Sequence, residues 1–183
     1  MQVERDNPWL YDYFSTFEEQ LKRRSTYRMR MKTAPYYAIY NVGEYTFAPW
    51  KVVWPEQPGK KGLPVAVVKN RTLRGIGEKI IIPDHKIYFA EFYDEQEALY
   101  LCGLLICSHV QKFITSFHIM IQVGDIFKHL RLPEFDGTNK RHVYLAKLVK
   151  MAHNEFDIRR KQDLLEQISR IGNLIVEQWI PEK

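Results

Sequence analysis

The chain has 183 residues, with 27 Lys and Arg against 22 Asp and Glu and a formal net charge of +5. That length allows one large domain, or a domain with a helical appendage, and enough chain to bury a sizeable core; the basic excess suits an anionic partner without proving one. No window approaches the ~18 consecutive apolar residues of a membrane span, the charged start MQVERDN lacks the apolar run of a signal peptide, and Cys102 and Cys107 form neither a CxxC pair nor a disulfide framework, so a reduced, cytoplasmic protein is expected.

Ser15-Thr16-Phe17-Glu18 is a capping-box pattern and predicts a helix over 16–24. Lys22 to Lys32 follows with six cations and no acid. PYYAIYNVGEYTFAPWKVVW, residues 35–54, reads as two strands joined irregularly around Asn41-Val42-Gly43, with Gly43 permitting a tight connection. Residues 55–64 form a loop by composition, 65–70 a buried strand, and 71–79 a basic, Gly-containing connection. Strands are expected again at 79–83 and 86–92.

At Asp94 the pattern becomes helical. Acids gather at the start of a helix expected over 95–116, as the helix dipole prefers. Residues 124–135 read as short strand or loop, stopped by Pro133. Residues 139–180 read as helical almost throughout, with one stripe of Leu145, Leu148, Val149, Ala152 and Phe156 and another of Leu164, Ile168, Ile171, Leu174 and Ile175. Arg159 to Asp163 either separates two helices or lies on the solvated face of one. The expected class is α+β: a β-rich body over 1–136 with flanking helices, then a long C-terminal helical segment over 137–183 that packs on the body or on a partner.

Few groupings carry chemistry. Asp6-Asn7-Pro8-Trp9 has only one proline and no preceding strand, so it reads as a turn before a helix. Gly75-Ile76-Gly77 lacks the third glycine and the following helix of a nucleotide fingerprint. His142 and His153 lie eleven apart and cannot chelate one ion together; no HxxxH or HExxH pair exists, so no metal site is expected. No GxSxG and no nuclease-like carboxylate set is found, so no catalytic residue is assigned.

The cations say more. They gather in Lys22–Lys32 and again in Lys60–Lys79, where six stand against Glu78. Candidate DNA-binding residues are Arg28, Arg30, Lys32, Lys69, Arg71 and Arg74. An Arg fork can make two parallel hydrogen bonds to a phosphate or a guanine edge.

The stretches PYYAIYNVGEYTFAPWKVVW, IPDHKIYFAEFYDEQEALYLCGLLICSHVQKFI and LPEF…H…LAKL…AH, in that order from about Tyr13 to Phe156, resemble the C-terminal specificity region of N6-adenine DNA methyltransferases, the TaqI-like specificity domain family of restriction–modification enzymes. One departure is Ile106-Cys107-Ser108, where relatives have Leu-Asn-Ser. The resemblance implies a β-rich target-recognition domain whose aromatics pack the sheet, with Lys51 at or near the DNA side. It implies binding to double-stranded DNA, no catalysis by this chain itself, and a partner methyltransferase domain or subunit that holds S-adenosylmethionine. Neither the S-adenosylmethionine motif nor the Asn-Pro-Pro-Tyr loop of the family's catalytic domain is found, which suggests a free-standing specificity subunit, an excised domain or a split gene. A non-DNA-binding assembly protein and a small nuclease are the alternatives.

Overall fold

The computed structural model describes residues 2–59, 62–116 and 127–179. Lys60 and Lys61 of the second cation group, residues 124–126 of the short segment before Pro133, and Ile180 lie outside them. The architecture is α+β, with antiparallel strands and a long C-terminal helix. The chain forms two compact units, Met1–Glu44 and Tyr45–Lys183. Their boundary lies at Glu44/Tyr45.

The first unit is built from short helices: α1 (Gln2–Asp6), α2 (Pro8–Ser15), α3 (Glu18–Lys22) and α4 (Ser25–Arg30). Pro8 opens α2, where its missing N–H costs nothing. The helix expected over 16–24 is therefore only the single turn of α3. Residues 35–43 are turns, not a strand. Tyr37 meets Tyr11 edge-on at 6.3 Å and stacks on Phe14 at 5.9 Å, so the aromatics that suggested a sheet serve helix packing. The Arg24 guanidinium holds this turn, donating to the carbonyls of Tyr36 (2.5 Å), Ala38 (3.0 Å) and Leu21 (2.9 Å). Asn41, not Gly43, takes the left-handed conformation, with φ of 59°.

A 3-10 turn (Glu44–Phe47) begins at the last residue of the first unit, and β1 (Trp50–Pro55) is the first strand of the second. β2 (Ala66–Lys69) and β5 (Ile87–Phe92) flank β1, both antiparallel, giving the order β2-β1-β5. The register sets Val52 opposite Val67 and Ala90, and Trp54 opposite Tyr88. Because side chains alternate across a strand, these residues share one face, and it packs into the main core. Lys51 and Val53 point to the other face.

That core centres on α5 (Glu95–Ile106), buried at Ala98–Tyr100 and Cys102–Leu105. Asp94 caps it, its carboxylate accepting from the Gln96 and Glu97 N–H groups at 2.8 and 3.0 Å. The helix expected over 95–116 breaks at Cys107, whose backbone is extended, and α6 (Ser108–Ser116) leaves at 61°. The break is capped from elsewhere in the chain. Ser108 N–H donates to Ser169 Oγ and His109 N–H to Asn173 Oδ1, both at 3.0 Å.

The C-terminal segment is two helices, α7 (Lys140–Asn154) and α8 (Ile158–Trp179), parted at residues 155–157. Leu145, Leu148, Val149, Ala152, Leu164, Ile168 and Ile175 pack with α5 and Val52 in the same core. Phe156, placed on that stripe by periodicity, lies in the break and is 94% exposed; Leu174 is also exposed. Arg159 to Asp163 occupy the solvated face of α8. No single helix among the described residues is long and apolar enough to cross a membrane.

Candidate nucleic-acid interface

Residues 71–79, read from the sequence as a basic, Gly-containing connection, form a hairpin. β3 (Arg71–Leu73) pairs antiparallel with β4 (Gly77–Lys79), in a sheet of its own. The turn between them closes with Ile76 N–H donating to Leu73 O at 3.1 Å. Gly75, at the third turn position, has φ of 78°, as a type II turn requires, and Gly77 has φ of 85°. The strand expected over 79–83 is absent: Lys79 ends β4, and residues 80–83 are irregular.

Every residue from Arg71 to Ile80 is exposed. The hairpin therefore has no core of its own, and two strands alone are marginal in water. Its register sets Arg71 directly opposite Lys79, and like charges in such a pair repel. No ion pair joins Arg71, Arg74 or Lys79 to a carboxylate among the described residues. An exposed ribbon with repelling cations and the apolar side chains Leu73, Ile76, Ile80 and Ile82 in contact with water is suited to an anionic surface that has apolar parts.

At the hairpin's base lies a cleft of about 460 Å³, with Lys69 and Arg71 on one lip and Lys150, His153 and Asn154 on the other. Lys69 Nζ sits 5.4 Å from the centre of the Trp50 ring, a cation–π contact that holds the ammonium beside the strand end. Lys150 is paired with Glu95 at 2.7 Å, and His153 Nε2 accepts from Val67 N–H at 3.4 Å.

The remaining candidates divide between the two units. Arg28 lies on α4 and Lys32 just beyond it; both are exposed, with no ionic partner among the described residues. Arg30 donates to the Tyr40 hydroxyl at 2.8 Å, with its guanidinium carbon 5.2 Å from the ring centre. Of the other cations in this run, Lys22 pairs with Glu18 and Arg24 holds the turn described above.

Lys51 is not where the resemblance implied. It is 1% exposed, and its ammonium donates to Ala48 O at 2.7 Å beneath the Phe89 ring. Burial pushes its pKa below the usual lysine value. In this arrangement Lys51 ties β1 to the turn before it and cannot reach a ligand. The hairpin also exposes Thr72, Glu78 and Lys79, which the sequence did not single out individually; the signal for the ribbon was two closely spaced glycines.

The other titratable groups serve packing. His142 Nδ1 accepts from Asp136 N–H at 3.0 Å, its Nε2 lies 3.4 Å from the Tyr100 hydroxyl, and burial lowers its pKa. Burial pushes the Cys102 thiol up to about 12 and raises Cys107 too, so both stay protonated near neutral pH. Among the described residues, no group of three or more His, Cys, Asp or Glu could hold a metal ion.

No family model matches the chain, and no solved structure matches it significantly. Among curated proteins, it is 30% identical over 109 residues to the Type II methyltransferase M.NspV of Nostoc sp. (strain ATCC 29411 / PCC 7524). The match covers 60% of this chain and 21% of that protein, so the chain spans about a fifth of the length of the curated relative it matches. The similarity supports a methyltransferase-related origin.

Proposed function

We propose that the chain is a DNA target-recognition module serving an adenine-N6 methyltransferase of a restriction–modification system. The observation that carries this reading is the exposed basic hairpin over 71–80, whose cations repel one another across the ribbon. Similarity to a Type II methyltransferase supplies the biological setting. A two-stranded ribbon fits the major groove, which is ~12 Å wide and ~8.5 Å deep. Laid along the groove with one face to its floor, three strand residues at ~3.3 Å each give the ribbon a length of roughly 10 Å, about three base-pair steps.

In this reading Arg71, Lys79 and Lys69 bind backbone phosphates. Arg74, at the tip, presents its fork to a guanine edge. In the first unit, taken by itself, Arg28 and Lys32 are free to meet phosphate, and Arg30 is if it leaves Tyr40. The catalytic partner binds S-adenosylmethionine, flips the adenine and transfers the methyl group; this chain supplies the address. Selection of a randomised duplex pool with the purified chain tests the reading. Enrichment of one site supports it, and recovery of the pool unchanged contradicts it.

One observation favours a second reading. Phe156 and Ile158 are 94% and 84% exposed at the α7–α8 corner, as a protein-docking adaptor would require. A stable protein partner combined with weak, salt-insensitive DNA binding would favour it.

A further inference from the structure

The hairpin has two chemically different faces. Cross-strand partners share a face, and successive residues alternate. Arg71 and Lys79 thus lie together with Leu73, while Thr72 and Glu78 lie opposite each other on the reverse face. Both are exposed, and no hydrogen bond or ion pair links either side chain to another described residue.

A carboxylate in the middle of a cationic ribbon needs a reason. Glu78 is poorly placed to relieve the repelling pair, because its cross-strand partner is Thr72 and Arg71 and Lys79 project from the other side. Facing a polyanion, it lowers affinity at every sequence unless a donor meets it. An ionised carboxylate only accepts hydrogen bonds. In the major groove the donors are the exocyclic amines of cytosine and adenine, and the pairing that suits a lone carboxylate is with cytosine N4. Short Thr72 and Glu78 side chains suit the groove floor. The longer Arg71 and Lys79 can then extend from the ribbon's back to phosphates on the groove walls.

We propose that Glu78, set beside Thr72 on the face opposite Arg71 and Lys79, is a specificity-determining residue that reads the N4 amine of a cytosine in the target site. This rests on the DNA-recognition reading and adds a base identity to it.

The test is selection of a randomised duplex pool by the wild-type chain, Glu78→Ala and Glu78→Gln, with Kd values for the selected site. Glu78 is exposed, so unchanged thermal midpoints are expected and serve as the folding control. Glu78→Ala should lose one cytosine preference, by roughly 5- to 150-fold, and keep the other positions. Glu78→Gln should move that position towards adenine, which an amide can pair with through two hydrogen bonds. If both variants bind all sequences more tightly by one factor and keep the wild-type preferences, Glu78 only tunes charge and the inference is overturned. If the wild-type chain shows no preference at all, the DNA-recognition reading itself fails.

Discussion

Lys79→Glu separates what the hairpin does for itself from what it does for a ligand. In the free protein Lys79 faces Arg71, and a directly opposed pair of like charges costs about 0.2–1 kcal/mol. Reversing one sign changes repulsion into attraction of similar size, so the hairpin gains about 0.4–2 kcal/mol. The core is untouched, because residues 71–80 are exposed throughout. DNA binding should move the other way. A phosphate contact contributes a slope of about −0.9 in log K against log salt, or roughly eightfold in affinity at 0.1 M relative to 1 M. Lys79→Glu should therefore bind duplex at least about eightfold more weakly at 0.1 M salt, with a salt slope flatter by about one unit. Amide exchange at Leu73 and Gly77, whose N–H groups point across the ladder, reports the first effect, and fluorescence anisotropy with a labelled duplex reports the second. Slower exchange with unchanged affinity would refute the assignment of Lys79 to a phosphate.

Three other outcomes follow from the packing. Asp94→Ala removes the cap of α5 and should cost about 0.5–2 kcal/mol, read as a shift in the urea midpoint; no shift would mean that the two hydrogen bonds from Gln96 and Glu97 contribute nothing. Gly172→Ala places a methyl 2.7 Å from Cys107 Cβ, a backbone-anchored atom. Strain near the upper end of about 1–3 kcal/mol should outweigh the helix-propensity gain of about 1 and lower Tm by a few degrees; a raised Tm would contradict the close packing of α8 on Cys107. For Lys51, burial lowers the folded pKa below the unfolded value of 10.5, so the charged form destabilises the native state below the folded pKa, and stability recovers as pH rises from there towards 10.5. Lys51→Met removes this dependence, while losing the hydrogen bond to Ala48 O is a pH-independent penalty. The variant's Tm minus that of the wild type should thus be more positive at pH 7 than at pH 10, and the opposite trend would show that the ammonium is better stabilised inside than in water.

The sequence carried its clearest signals where the period was long and the pairing local. Acids ahead of an apolar run marked the start of α5, and the strands expected within 35–54, at 65–70 and at 86–92 overlap β1, β2 and β5. The break at Cys107 was hidden because its caps, Ser169 and Asn173, lie more than 60 residues away. Tyr36 and Tyr37 looked like strand residues because aromatics suit sheets and helix packing equally well, and the choice rests on Arg24 holding their turn. The hairpin escaped because three-residue strands are too short to show a period and Gly75 and Gly77 resemble loop composition. Its cations were visible in the sequence. What could not be seen was the register, which sets Arg71 against Lys79 and leaves Glu78 on the other face.

The most direct test of the central claim is the salt dependence of duplex binding by the wild-type chain and by Arg71→Glu/Arg74→Glu/Lys79→Glu, measured by anisotropy with thermal midpoints as the folding control. The wild-type log K should fall linearly with log salt. The triple variant should keep its midpoint, lose at least about 60-fold in affinity at 0.1 M salt, and flatten the slope by about two units, one for each phosphate held by Arg71 and Lys79. A folded triple variant with wild-type affinity and slope would contradict the account.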